Sequence, residues 1–114
     1  MPSPEFIFRE DFEKTTHCEV LHEGDIENAL DFDNVCIRFS PFTNGTAFSL
    51  IKLLRLRGFI GSIIVAGDYA LDQLPYLRQV GANQFVISRD ELATAEDILS
   101  RGFDSYGTLQ GVIR

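Results

Sequence analysis

Two short groups of polar residues have types and spacing suited to chemistry. Asp68 follows the apolar run Ile63-Ile64-Val65-Ala66 and Gly67, and Asp72 and Gln73 come four and five residues later. If a helix begins after Asp68, that spacing puts two carboxylates and an amide on its first turn, where they can hold a cation or a hydroxyl. The same acid also stabilises a helix N-terminus with no ligand present, by meeting orphan amides and the positive end of the dipole. The second group is Thr43, Asn44 and Gly45, which precede the apolar periodicity that starts at Ala47. Backbone amides at such a turn can hold an anion, although a cap alone accounts for the composition. The candidate ligand-binding set is therefore Thr43, Asn44, Gly45, Gly67, Asp68, Asp72 and Gln73.

Other patterns are excluded by spacing. His17, Cys18 and His22 are near one another, but they match no zinc spacing and lack a fourth ligand, so no metal is expected. Cys18 and Cys36 form no CxxC pair and read as two ordinary reduced thiols. A receiver-type phosphoacceptor site needs a lysine after the last strand, and the chain has only Lys14 and Lys52. There is no GxGxxG, no GxxxxGK[ST], no thiolate cluster and no haem-attachment motif, so no flavin, nicotinamide, iron-sulfur or haem cofactor is expected.

The charge balance narrows the partners. Lys and Arg number 10 against 17 Asp and Glu, a net charge of −7. That is the wrong sign for affinity based on phosphate neutralisation, so neither nucleic acid nor an anionic membrane surface is expected. The apolar runs are far short of the roughly 20 residues that span a bilayer. The opening Met1-Pro2-Ser3-Pro4-Glu5 lacks a basic n-region and an apolar h-region, which makes the cytoplasm the expected compartment.

The 114 residues have room for one domain, with 45% hydrophobic residues to build its core. Residues 1–17 mix aromatic with charged residues and, with Phe6 and Phe8 at alternate positions, read as an extended arm. Short strands are expected at Glu19 to Leu21, Val35 to Phe39, Ile63 to Ala66 and Phe85 to Ile87, from β-branched and aromatic runs bounded by turn residues. Ala47, Leu50, Ile51 and Leu54 mark the clearest helix, closed by Gly58. Leu71, Leu74, Leu77 and Val80 mark another, with Pro75 in its first turn and Gly81 at its end. A last helix is expected from the capping pattern at Thr94-Ala95-Glu96-Asp97 to Gly102, followed by a patternless tail over 103–114. Continuous rather than alternating strands, separated by helices over residues 18–102, indicate an α/β fold of about four parallel βα units. An open Rossmann-like sheet and half of a (β/α)-barrel both satisfy the pattern. In either, sites gather at the strands' C-terminal ends. A concave pocket there would favour a small-molecule enzyme; a face filled by Phe42, Phe48 and Tyr69 would favour a binding protein.

The central blocks carry a resemblance. Phe39-Ser40-Pro41-Phe42-Thr43-Asn44-Gly45-Thr46-Ala47-Phe48-Ser49, running on to Leu53-Leu54-Arg55, and then Gly67-Asp68 with Leu71-Asp72-Gln73-Leu74-Pro75-Tyr76-Leu77-Arg78, resemble a bacterial domain-of-unknown-function family. Its members carry the label of oxidoreductases involved in sulfite reduction, and the likeness runs from about Val35 to Phe103. The resemblance implies a cytoplasmic protein of assimilatory sulfite reduction, working alongside a sulfite/nitrite reductase haemoprotein, with no reaction assigned. Where the family tends to carry cations and a phenol, this chain has Pro41, Thr46 and Leu71 for the cations and Phe48 for the phenol. Asn44 and Ala47 replace an Asp and a Gly. The resemblance thus implies a divergent member that has lost the charge-assisted contacts such cations could make to an oxyanion. The leading expectation is a soluble accessory or binding protein, the alternative a small-molecule-binding enzyme. A homodimer is expected, since open edges and the apolar Phe6-Ile7-Phe8 need cover from the same or a neighbouring chain.

Overall fold

The structure is a computed structural model that describes residues 5–40 and 44–100. Strand β1 (Phe6–Phe8) leads into a single helical turn, α1 (Arg9–Phe12), and then β2 (Cys18–Val20). A 3-10 turn at Glu23–Asp25 continues into α2 (Ile26–Ala29), followed by β3 (Asn34–Phe39), α3 (Asn44–Leu56) and β4 (Ser62–Gly67). A second 3-10 turn, Leu71–Gln73, opens α4 (Leu74–Val80), and β5 (Gln84–Ile87) follows. A third, Arg89–Glu91, opens α5, whose described part is residues 92–100. Phe42, Thr43, Gly102 and the 103–114 tail lie outside the described residues.

The five strands form one parallel sheet in the order β1-β5-β4-β3-β2. The sheet is open, with β1 and β2 at its edges, which is compatible with a Rossmann-like open sheet. Because side chains alternate along a strand, this register sorts them onto two faces. One face carries Phe6, Phe8, Val20, Val35, Ile37, Phe39, Ile63, Val65, Phe85 and Ile87, and it packs in one cluster with α2, α3, α4 and α5. Ala47, Leu50, Ile51 and Leu54 bring the predicted apolar stripe of α3 onto it, and Leu74, Leu77, Ala95 and Leu99 complete the layer. The other face carries Cys36, Ile64, Ala66 and Val86, and the side chain closing over them is Phe12 of α1, with Ile7 at the margin.

Several local features differ from expectation for identifiable reasons. β2 lies one residue earlier than Glu19 to Leu21. This places Cys18 and Val20 in the core and leaves Leu21 66% exposed. The arm is a strand that pairs in parallel with β5, Phe6 opposite Phe85 and Phe8 opposite Ile87, so its apolar residues are covered within their own sheet. The last helix opens at Ser88 rather than Thr94. The Ser88 amide donates to Glu91 Oε1 (2.9 Å), the serine-x-x-glutamate form of a capping box, and residues 92–93 are already helical.

Arg55 holds the loops below the helical layer. It donates from Nε to the Gly81 carbonyl (2.9 Å) and from Nη1 to the carbonyls of Phe59 (2.8 Å) and Gly61 (3.0 Å). At the opposite end of β4, Gly67 has φ +85°, and a Cβ there would stand 2.3 Å from the Phe39 carbonyl oxygen. That oxygen accepts the Asp68 amide at 2.8 Å, which ties the ends of β3 and β4 together. Gly67→Ala should therefore lower the unfolding free energy by about 1–3 kcal/mol, measured by urea denaturation. A variant as stable as the wild type would show that the turn can relax without cost.

Candidate functional site

Ligands in open parallel sheets usually sit where neighbouring strands send their connections to opposite faces. Here that point is between β1, which leads to α1, and β5, which leads to α5. It is filled. Arg89 pairs with Glu10 and lies over the Phe8 ring (4.4 Å), and Arg9 approaches Glu91 (3.8 Å). The Ser88 hydroxyl donates to Asp90 (2.6 Å), closing the same turn. The helical side of the strand ends is also occupied: Phe48 stands edge-on to Phe39 (5.3 Å), and Tyr69 lies between Phe39 and Phe85 (6.3 and 6.4 Å). The Tyr69 hydroxyl donates to the Val86 carbonyl (2.7 Å), and burial pushes this phenol's pKa up.

The thinly covered face does present a concavity. A cleft of about 530 Å³ lies between the α1 segment and the sheet, with Ala66 and Val86 on its floor, Phe12 on its wall and charge around it: Arg9, Glu13, His17, Glu19, Arg38 and Asp68. Arg38 and Glu19 form a two-point pair across β3 and β2, Nε to Oε1 at 3.2 Å and Nη2 to Oε2 at 2.6 Å. The guanidinium also lies 5.8 Å from the centre of the Phe12 ring, so one side chain braces both the carboxylate and the aromatic cover. The hydrogen bonds from Arg38 hold the Glu19 carboxyl below the usual carboxylate range, against the opposing effect of partial burial.

His17 completes this wall. Its ring stacks on Phe12 (centroids 4.6 Å apart, 17° between planes). Nδ1 is 3.0 Å from the Thr15 carbonyl, which can only accept, so Nδ1 carries a proton and Nε2 is turned toward Glu19 Oε2 at 3.4 Å. Beneath lies Cys36, fully buried and paired in register with Glu19. Desolvation pushes its thiol up to about 12, with the Glu19 charge adding to the effect. Burial also raises the Cys18 thiol, and the two cysteines point to opposite faces of the sheet. They therefore cannot form a disulfide without breaking the sheet.

The residues expected from sequence are divided between surfaces. Gly67 and Asp68 line the cleft. Gly45 lines a separate groove beside Thr46, Ser49 and Lys52 on the exposed side of α3. Asn44 begins α3, and Thr43 lies outside the described residues. Asp72 is exposed, while Gln73 turns back so that its Oε1 accepts the Ala70 amide (3.0 Å), a capping role. The grouping of His17 with Cys18 and His22 dissolves, since Cys18 faces the helical core and His22 approaches Asp25. Its replacement, His17 with Glu19 and Cys36, was visible only as the period-2 step from 17 to 19. The third member comes from strand register.

The fold and site define a small open-sheet α/β protein with one helical layer and a charged cleft on its other face. The bacterial family of unknown function DUF934 matches residues 19–109, and the chain belongs to that family. Glu19, Cys36, Arg38, Gly67 and Asp68 fall within the match, whereas Arg9, Phe12, Glu13 and His17 precede it. No curated protein and no solved structure matches the chain.

The depressed titration of Glu19 has a definite sign. A carboxyl whose folded pKa lies below its unfolded value contributes stability that is complete above the unfolded pKa and is lost as pH falls through the folded one. A carbon-detected NMR titration should place the Glu19 midpoint below that of an exposed glutamate, and Arg38→Gln should move it upward. An unchanged midpoint in the variant would show that Arg38 does not control this carboxylate.

Proposed function

We propose that this chain is an accessory binding protein of bacterial sulfite reduction that works by presenting its charged cleft rather than by turning over a substrate with its own side chains. The carrying observation is the two-point pairing of Arg38 with Glu19, which fixes both charges on the wall of the cleft. The buried thiol is driven toward the neutral form and Glu19 toward the ionised form, so neither is poised as a nucleophile or a general acid near neutral pH. The guanidinium and carboxylate groups instead hold fixed positions, as recognition of a polar ligand or partner requires. The link to sulfite reduction is supported by the family resemblance of the Phe39–Ser49 and Gly67–Arg78 blocks. No helix among the described residues is long and apolar enough to cross a membrane.

Deleting the gene from its bacterial host should slow growth on sulfate or sulfite as sole sulfur source. Supplied sulfide or cysteine should restore growth, and so should the wild-type gene. Equal growth of mutant and parent on sulfite would overturn the reading.

The homodimer belongs to the same proposal, with a changed surface. Since Phe6 and Phe8 are covered within their own chain, association has to use an open sheet edge, β1 or β2, or exposed apolar side chains such as Leu21, Leu56 and Ile60. Sedimentation at micromolar concentration should show a species of twice 12.8 kDa, and a single species at 12.8 kDa would rule the dimer out.

A further inference from the structure

We propose that His17, Glu19 and Cys36 form a binding site for a divalent cation of the zinc class at the floor of the cleft. The inference stands on local geometry and does not rest on the accessory reading. The three donor atoms, His17 Nε2, a Glu19 carboxylate oxygen and Cys36 Sγ, all lie within 4.8 Å of one another. A tetrahedral zinc ion bound at 2.0–2.3 Å holds its donors somewhat under 4 Å apart, so closing the triad takes only small side-chain adjustments.

Three further features orient the donors before any ion arrives. The Thr15 carbonyl accepts from His17 Nδ1 (3.0 Å), leaving Nε2 as the free donor of the neutral ring, the tautomer that backbone carbonyls impose on metal-binding histidines. The Asn34 amide donates to the Thr16 carbonyl (3.2 Å), anchoring the segment that carries His17 to β3. Arg38 fixes the Glu19 carboxylate at two points while leaving each oxygen a second lone pair. In the neutral ring, Nε2 directs its lone pair at a carboxylate oxygen 3.4 Å away, an arrangement that a cation between them converts from repulsion to attraction.

The donor set selects the ion. One thiolate, one imidazole and one carboxylate suit zinc and its first-row neighbours and do not suit magnesium or calcium, which take oxygen ligands. Binding breaks the Cys36 S–H bond, the proton leaves to solvent, and the sulfur electron pair forms the bond to the metal with no change of oxidation state. The charge of the bound ion outweighs the desolvation that keeps the free thiol protonated. Three protein donors would leave a tetrahedral ion one further position, which water or an anionic ligand would take.

Cobalt(II) is the probe for this site, because a cobalt–thiolate bond gives a near-ultraviolet charge-transfer band. Titration of the metal-free full chain with cobalt should produce that band with an end point at one ion per chain, and zinc should abolish it. Cys36→Ala should lose the band while Cys18→Ala keeps it. His17→Ala alters a side chain only 16% exposed but outside the strands, so it serves where Cys36→Ala fails to fold. It should weaken zinc by at least the roughly 10–100-fold that follows loss of even an outer-shell partner. Absence of a thiolate band in the wild type, a band that survives Cys36→Ala and disappears with Cys18→Ala, or zinc affinity unchanged in His17→Ala would each overturn the proposal.

Discussion

The constraint on which the rest depends is the direction in which the strands are laid down. From β2 through β5 each strand is added on the same side of the last. Since parallel crossovers are right-handed, α2, α3 and α4 must all land on one face, and they share one core with it. The remaining connection, residues 9–17, has to run from one edge of the sheet to the other across the opposite face. Four strand spacings are about 19 Å, and the chain must also run back along the strands. Nine extended residues reach at most about 30 Å. There is no length for more than one helical turn, and α1 is a single turn.

A parallel sheet normally has both faces dry. Here the short return segment lays chiefly Phe12 over the second face, so the strands are apolar beneath that ring and polar at its margin toward the β2 edge. Cys36, Ile64, Ala66 and Val86 lie under or near the ring; Glu19 and Arg38 lie toward the β2 edge. The cleft follows from incomplete cover, and its charge follows from the same cause. A guanidinium on an interior strand is tolerable because it has a carboxylate partner, an aromatic face and access to water, with the Arg38 side chain 47% exposed.

The sequence made the layered α/β class legible because the strongest signals were local. The uninterrupted run Ile63 to Ala66 announces a strand in the middle of a sheet, and the apolar stripe of α3 announces the face it covers. What could not be read locally was pairing. β1 joins β5 from far along the chain, Phe6 meeting Phe85, and no periodicity within Phe6-Ile7-Phe8 distinguishes that from an antiparallel edge or a contact with another copy. The capping pattern at Thr94 points to the start of the last helix there, whereas the helix opens at Ser88, where Glu91 stands three residues later to close the box. At the cleft, Asp68 and Gly67 were legible as a strand end, while the adjacency of Glu19 to Cys36 required the register of β2 against β3.

That register also explains why a reactive constellation and a stabilising one look alike here. A shift of β2 by one residue would turn Glu19 inward and bring Cys18 to the open face. The alternation Cys18, Glu19, Val20 against Val35, Cys36, Ile37 is held because two apolar side chains of β2 face the helical layer and the charged one faces Arg38. The core therefore fixes which donors reach the cleft. His17 sits just before β2, on the side that Glu19 shares, and is pinned by Thr15 and Phe12 rather than by the ladder. The cover of the second face and the wall of the cleft are consequently the same few side chains, so the residues that shield the sheet from water are also those that a ligand in the cleft would meet.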